Sequence, residues 1–211
     1  MDLSQYRTIS INKSPGFQLA YPDPEQLKKR WEAGQLSVFP YWGKIWASAY
    51  ALCLFLEKQP HWIRDKKLLE IAAGLGLPSL FASRYASTVI CTDYQQDPLD
   101  YINESIRVNA IANITTGILD WQAIPKNLNY DVLLLSDINY APEAFPALEK
   151  MIHTFLQMQT TIILTSPQRL MAKAFIEKLQ PYCIYQEEIG VAEDLGETRI
   201  SLMVLQKIRT V

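Results

Sequence analysis

Apolar strand-like runs alternate with helix-like runs from Leu68 onward, and this alternation constrains the fold more than any other feature of the sequence. The strand-like runs read LLEIAA, TVICTD, GILDW, DVLLLSD and TIILTS, and the helix-like runs among them read GLPSLFASRYA, DPLDYINESIRVNAIA and APEAFPALEKMIHTFLQM. Strands that are apolar throughout and that alternate with helices are typical of βαβ units. We therefore expect an α/β fold with a mostly parallel sheet and helices on both faces.

Both end regions of the sequence predict hairpins. CIYQEEIG and RISLMVLQKI are separated only by VAEDLGET, which is too short for a parallel crossover and so predicts an antiparallel pair. YRTISINKSPGFQLAYP predicts a hairpin that turns at residues 13–16, followed by a short helix capped by Asp23 and a buried helix, WASAYALCLFLEKQ. Since no linker or repeat interrupts the chain, we expect one domain over residues 1–211, with an N-terminal hairpin and helices in 1–60 and the α/β core in 61–211.

Composition and charge argue against several classes of protein. The formal net charge is −2, so the chain has no overall basic character for binding nucleic acid. Cys53, Cys91 and Cys183 are odd in number and lack CxxC or Cys/His spacing, which predicts neither a disulfide framework nor a metal site. MDLSQYRTIS lacks the apolar region of a signal peptide, and no apolar run approaches the length of a membrane span. We expect a cytoplasmic protein with no membrane partner, while the sequence does not indicate its oligomeric state.

A glycine turn follows the first strand of the alternation, where open α/β sheets bind their ligands. Gly74 and Gly76 allow a small molecule to approach the main chain closely, and the acid Glu70 precedes the turn. Asp93 closes TVICTD about twenty residues after the turn, at a position where a carboxylate can accept both hydroxyls of a ribose. Ser79 stands where a dinucleotide fingerprint has its third glycine. The pattern predicts a site for an adenosine-containing cofactor.

These stretches carry a resemblance to a known family. LLEIAAGLGLPSL resembles motif I of the S-adenosylmethionine-dependent methyltransferases, and CTD looks like their ribose-binding acid. PYWGKIWASAYAL, ILDW, LLLSDINY and SPQRLMAKAF are similar to four further motifs of the family 16 seven-strand methyltransferases, in the same order from about Pro40 to Val204. This group includes protein-lysine methyltransferases. The resemblance implies a Rossmann-like seven-strand methyltransferase sheet, whose antiparallel C-terminal hairpin agrees with the pattern above.

The resemblance also implies a cofactor, S-adenosyl-L-methionine, and roles for individual residues. Trp46 would flank the methionine end of the cofactor, Asp93 would hold the ribose, Trp121 would pack on the adenine and Ser136 would contact the cofactor after the fourth strand. Ala72 departs from the family, because it stands where a glycine is common. The predicted cofactor-binding residues are Trp46, Glu70, Ala72, Ala73, Gly74, Gly76, Asp93, Tyr94, Trp121 and Ser136.

Asp137 and Tyr140 are the predicted catalytic residues. Methyl transfer from a sulfonium to an amine requires the neutral amine, and with a pKa near 10.4 only roughly one lysine in two thousand is neutral at pH 7. A dry aromatic pocket beside the sulfonium lowers that pKa. Asp137 and Tyr140 lie three residues apart after the fourth strand, so they can point to one site and orient the amine. Arg169, after the fifth strand, either meets the substrate or is an exposed residue at a helix start.

The function predicted first is N-methylation of a lysine side chain of a protein. N-methylation of a small amine or pyridine, such as nicotinamide, is the alternative within methyl transfer, although the short insertions between strands leave little lid for a small ligand. A non-catalytic module that binds S-adenosylmethionine is a second alternative, which Ala72 keeps open. A nicotinamide-dinucleotide oxidoreductase is a third, against which Ser79 and the terminal hairpin argue.

Overall fold

The computed structural model describes residues 5–125, 128–193 and 196–207. Within these residues the strands are β1 (Tyr6–Ile11), β2 (Ser14–Ala20), β3 (Lys67–Ile71), β4 (Thr88–Asp93), β5 (Ile114–Ile118), β6 (Val132–Ser136), β7 (Thr161–Pro167), β8 (Cys183–Glu193) and β9 (Gly196–Leu205). The helices are α1 (Pro24–Glu32), α2 (Ala47–Lys58), α3 (Leu77–Ala82), α4 (Gln96–Val108), α5 (Phe145–Gln157) and α6 (Lys173–Leu179). No helix in this part of the chain is long and apolar enough to cross a membrane.

Seven strands form one sheet in the order β5-β4-β3-β6-β7-β9-β8. Strands β3 to β7 run parallel to one another, whereas β9 pairs antiparallel with both β7 and β8 and lies between them. The predicted α/β class, the mostly parallel sheet and the antiparallel terminal hairpin are confirmed. Because the strand order reverses direction at β3 and β6, the carboxyl ends of these two strands border the crevice where such sheets bind ligands.

Alternate side chains of the central strands enter two separate cores, which explains why these strands are apolar throughout. Leu68 and Leu134 pack in the core beneath α2, α3 and the N-terminal hairpin. Leu69 and Leu133 point to the opposite face, into the core formed with α5 and α6. The sheet is therefore covered on both faces, which leaves the ends of its strands as the place for a functional site.

The predicted boundaries of both hairpins are wrong, each for a local reason. The first hairpin turns at residues 12–13, where Asn12 adopts a φ of 42°, and not at residues 13–16. Asparagine tolerates this left-handed conformation, while Gly16 lies inside β2, where a Cβ would meet Thr8 at 2.8 Å. The C-terminal hairpin is longer than predicted, since pairing continues to Glu193 and Gly196, with Val191 buried near helix α2.

Strand β5 also begins earlier in the sequence than the predicted strand GILDW. It runs from Ile114 to Ile118, and the Asp120 side chain then accepts a hydrogen bond of 2.8 Å from the backbone N–H of Gln122. This contact begins a short 3₁₀ turn at Trp121. The predicted cap of α1 is confirmed, because the Asp23 carboxylate accepts hydrogen bonds from the N–H groups of Glu25 and Gln26.

Candidate active site

The turn after β3 holds three residues in the left-handed region of φ. The φ angles are 55° at Ala72, 56° at Gly74 and 69° at Gly76. A Cβ at Gly76 would lie 3.0 Å from Ile102 and 3.2 Å from the sulfur of Cys91, so tight packing behind the turn adds to the left-handed backbone as a reason for glycine there. A Cβ at Gly74 would meet only ordinary contacts, from 3.5 Å, which leaves the left-handed backbone as the reason for glycine there.

The end of β4 fastens this turn in place. The Gly74 N–H donates a 3.1 Å hydrogen bond to Oδ2 of Asp93, and the Ala73 N–H donates to the carbonyl of Thr92 at 2.9 Å. The other Asp93 oxygen accepts from the N–H of Gln95 at 3.2 Å. Asp93 is nearly buried, and burial raises the pKa of its carboxyl despite the lowering effect of these N–H donors. The turn and the acid therefore form one rigid unit.

Glu70 lies behind the turn and does not line the cavity. It is buried, and its Oε2 accepts hydrogen bonds from both the N–H, at 2.9 Å, and the hydroxyl of Ser79 at the start of α3. Burial raises the pKa of Glu70 to about 7. The structure thus places Glu70 where it holds α3 against β3, in place of the direct cofactor contact predicted from the sequence.

A cavity of about 260 Å³ opens at the carboxyl ends of β3, β4 and β6. It adjoins a second hollow of about 250 Å³ that reaches Leu119, Asp120 and Gln122. Eleven of the twelve residues predicted for the site line the first cavity, all but Glu70. They are Trp46, Ala72, Ala73, Gly74, Gly76, Asp93, Tyr94, Trp121, Ser136, Asp137 and Tyr140.

Aromatic side chains from the segment before α2 form one wall of the cavity. The Trp46 indole N–H donates to the carbonyl of Tyr41 at 3.0 Å, and the Lys44 ammonium lies 4.7 Å from the Trp46 ring centroid. The Tyr41 ring lies 4.7 Å from that of Phe39 and 5.6 Å from that of Tyr140. Phe39 and Tyr41 are not among the residues predicted for the site, although the aromatic density of FPYW was a signal for them.

Asp137 and Arg169 form an ion pair in another part of the cavity wall. The two guanidinium nitrogens of Arg169 donate to the two carboxylate oxygens of Asp137, with an Nη2–Oδ2 distance of 3.1 Å. Asp137 has a φ of 54°, and its N–H donates to the carbonyl of Thr165 on β7 at 2.9 Å. Arg169 is therefore part of the site rather than an exposed residue at a helix start.

Tyr140 connects the two walls. Its ring is half-exposed at the mouth and contacts Tyr41, and burial, with the nearby charges of Asp93 and Asp137, raises the pKa of its hydroxyl. It therefore stays a neutral hydrogen-bonding group at physiological pH. Trp42 lines the cavity as well, but its ring is buried and packs on Tyr101 at 5.6 Å, as its predicted packing role requires.

A seven-stranded sheet with an antiparallel last strand, bearing a glycine turn and an acid at adjacent strand ends, defines a Rossmann-like methyltransferase. A putative RNA methyltransferase from Pyrococcus horikoshii superposes on 76% of this chain and 81% of its own with a TM-score of 0.58 at 15% identity, a likeness of fold. The chain belongs to the lysine methyltransferase family, whose model matches residues 28–181.

Two curated relatives are also named as lysine methyltransferases. Protein N-lysine methyltransferase METTL21A of Xenopus tropicalis is 28% identical over 152 residues, covering 68% of this chain and 66% of the relative. EEF1A lysine methyltransferase 3 of Mus musculus is 30% identical over 164 residues, covering 72% of this chain and 68% of the relative. The chain thus matches about two thirds of the length of these relatives.

S-adenosylmethionine is the cofactor that this family indicates, and the residues of the cavity fit it. A carboxylate offers about four acceptor positions, and the N–H groups of Gly74 and Gln95 use one on each oxygen of Asp93. Positions remain for ribose hydroxyls, whose donation would relieve the cost of burying this acid. The adjoining hollow carries the Trp121 ring, a suitable face for an adenine, and the first cavity is lined by both Trp46 and Asp137.

Proposed function

We propose that this chain is an S-adenosylmethionine-dependent protein-lysine N-methyltransferase. The observation that carries the proposal is that one cavity joins the turn and acid suited to the cofactor with an acidic acceptor and an aromatic wall suited to an amine. Asp93 would hold the ribose, the main chain at residues 72–74 would support the methionine portion, and Trp121 would pack on the adenine. Asp137 and Tyr140 would receive the substrate nitrogen.

The chain's own residues would prepare the amine for attack. The incoming ammonium loses its proton to water, and its remaining N–H groups donate to Asp137, which turns the lone pair toward the methyl group. Tyr41, Trp46 and Tyr140 exclude water, and their ring faces favour the sulfonium and the positive charge that forms on nitrogen during transfer, with a contribution of about 0.5–2 kcal/mol. Positioning in a dry pocket, rather than acid–base chemistry alone, supplies most of the rate in this proposal.

When bound, the cofactor would supply an electrophilic methyl group on a sulfonium. The amine lone pair would form the new nitrogen–carbon bond, and the electron pair of the breaking carbon–sulfur bond would remain on sulfur. The product nitrogen carries a positive charge and later releases its excess proton to water. Charge is balanced because one cationic centre is consumed and another is formed.

Exposed aromatic side chains at the mouth favour a protein acceptor over a free small amine. Trp31, Phe39 and Tyr41 are 40%, 45% and 51% exposed, and the Trp31 and Phe39 rings lie 5.1 Å apart. They continue the aromatic wall from the cavity onto the outer surface. Aromatic residues are enriched in protein interfaces, and adjacent exposed ones indicate an interaction surface. Location in the cytoplasm belongs to the proposal and rests on sequence features alone.

The proposal is tested by incubating the purified chain with tritiated S-adenosylmethionine and a cell lysate, followed by amino-acid analysis of the labelled proteins. We expect methyl-lysine in the products. Asp137→Asn should reduce labelling at least a hundredfold while affinity for S-adenosylhomocysteine stays within a few-fold of wild type. Asp100→Asn, on α4 and outside the cavity, is the matched control. Full labelling by the Asp137 variant would remove the role assigned to this residue.

A second comparison separates protein from small-molecule acceptors. Trp31 does not line the cavity, so Trp31→Ala should slow the labelling of protein at least fivefold and leave cofactor affinity unchanged. Ile184→Ala, an exposed apolar residue on β8, is the control. Transfer to nicotinamide or n-butylamine, with no label in protein, would replace the protein-lysine proposal with the small-amine alternative.

A further inference from the structure

Arg169 holds both oxygens of the acid that the proposed function assigns to the substrate amine. It follows β7 and lines the cavity, and β6 lies between β7 and the strand that carries the glycine turn. The Asp137 side chain is 8% exposed and that of Arg169 is 29% exposed, so the pair is largely shielded from water. Such shielding makes the charges of the pair felt strongly by any group that enters the cavity.

A lone carboxylate would oppose the reaction at this position. An opposite charge within about 4–6 Å favours the charged form of a titratable group and shifts its pKa by about 1–3 units. Beside an uncompensated Asp137, a substrate lysine would therefore remain an ammonium, which has no lone pair with which to attack the methyl group. The acceptor that orients the amine would then also keep it protonated.

We propose that Arg169 resolves this conflict as a positioning residue that neutralises Asp137, so that the carboxylate orients the substrate amine without stabilising its ammonium form. The inference rests on the proposed function. The planar guanidinium fixes both carboxylate oxygens, and each oxygen retains a second acceptor position for a substrate N–H.

Neighbouring groups also hold the arrangement. The Gln168 side chain donates to Glu188 on β8 at 2.6 Å, which anchors the segment that carries Arg169. Lys44 has a carboxylate neighbour of its own, Glu193, at 4.0 Å. The Tyr140 hydroxyl lies near the pair. The other charged or titratable groups around them are Tyr41, Asp93, Tyr94 and Glu143. Asp93 and Glu143 are acids, so Arg169 is the cation that contacts Asp137 directly among the described residues.

The test is the pH dependence of methyl transfer, measured as the initial rate of tritium incorporation into total lysate protein from pH 6.5 to 10. The variants are Arg169→Gln, which removes the charge, and Arg169→Lys, which keeps the charge but loses the planar fork. Lys173→Gln, an exposed charge change nearby on α6, is the matched control. Binding of S-adenosylhomocysteine reports folding of each variant.

In Arg169→Gln we expect the pH at which the rate rises to increase by about 1–3 units. The rate at pH 7 should be at least tenfold below that of wild type, and it should recover at high pH. Arg169→Lys should lower the rate without moving the rise, and Lys173→Gln should match wild type. The double variant Asp137→Asn/Arg169→Gln, which has no net charge at the pair, should lose most activity yet return the rise to its wild-type position.

The possible contrary results are distinct. An Arg169→Gln profile that falls by one factor at every pH would overturn the inference and leave Arg169 a structural residue. If Arg169→Gln fails to bind S-adenosylhomocysteine, a displaced rise in Arg169→Lys or in the double variant would overturn it equally, and undisplaced rises there would support it. If wild type labels no protein at any pH, the proposed function fails first, and this inference fails with it.

Discussion

Ala72 stands in a conformation that an L-residue with a side chain adopts at a cost. Its φ of 55° lies in the left-handed region, where a Cβ costs about 1–2 kcal/mol. The left-handed backbone of this turn thus explains why glycine is common at this position in the family. Ala72→Gly removes the strain but adds freedom to the unfolded chain, worth about 0.4–1 kcal/mol. We expect a net gain of about 0.5–1 kcal/mol in the free energy of unfolding, measured by urea denaturation.

Ala73→Gly is the matched control, because the φ of Ala73 is not positive. This neighbouring change should cost about 0.5–1 kcal/mol. A loss of stability in Ala72→Gly similar to that in the control would show that the left-handed backbone at Ala72 carries no strain.

Glu70 should make stability depend on pH. Burial raises its pKa from 4.5 to about 7, so between these values the folded state keeps a proton that the unfolded state has lost. The unfolded state then binds fewer protons, and the free energy of unfolding falls as pH rises, by about 3 kcal/mol in total. Below pH 4.5 the contribution is fully present, and above pH 7 it is lost.

This dependence is isolated by comparison with Glu70→Gln, which can still accept hydrogen bonds from Ser79. The free energy of unfolding of wild type relative to the variant should fall by about 2–3 kcal/mol between pH 5 and pH 8. Denaturation curves at both pH values measure it. Parallel pH dependence in the two proteins would mean that the Glu70 carboxyl titrates normally in the folded state.

One side chain of α4, Ser105, and one just after its end, Asn109, attach the N-terminal hairpin to the sheet. The Asn109 amide accepts from the N–H of Gln18 at 2.9 Å and donates to its carbonyl at 2.7 Å, as a neighbouring strand would. The Ser105 hydroxyl accepts from the N–H of Ala20 at 2.9 Å. Strand β2 is therefore tethered along its free edge by polar side chains as well as by packing.

Asn109→Ala should loosen this hairpin without unfolding the sheet. Loss of the two hydrogen bonds to Gln18 is expected to cost about 1–3 kcal/mol locally. Hydrogen exchange of the β1 and β2 amides should therefore become roughly tenfold faster or more, while exchange in β3 and β6 remains unchanged. Asn103→Ala, at an exposed position of the same helix, is the control. Unchanged exchange in β2 would show that apolar packing alone holds the hairpin.

Elements could be predicted where the sequence carries its own signal. TVICTD coincides with β4, and Asp23 with Pro24 marks the start of α1. The errors lie where tertiary contacts override local composition. Gly16 is placed in a strand by a close approach to Thr8, and Val191 continues β8 because it is buried near α2. Composition alone does not reveal such contacts.

The whole-molecule arrangement decides which predicted residues share a site. Sheet topology brings the ends of β3, β4 and β6 together, so Gly74, Asp93 and Asp137 could be predicted to converge. The Asp137–Arg169 pair joins residues 32 positions apart and depends on side-chain direction. Side-chain direction also limits the prediction for Glu70. Its position in the strand could be predicted, but its orientation behind the turn could not. The single domain expected over residues 1–211 stays a prediction.

Binding of S-adenosylmethionine in the cavity is tested by thermal unfolding with S-adenosylhomocysteine. A ligand at a hundred times its dissociation constant adds about 2.7 kcal/mol. For a chain of this length, the midpoint should rise by roughly 5–11 °C. The same concentration of nicotinamide dinucleotide should leave it unchanged, and Asp93→Asn should require roughly ten- to a hundredfold more ligand for an equal rise. No rise with the homocysteine compound at millimolar concentration would contradict the account, and the roles proposed for Asp137 and Arg169 would lose their basis.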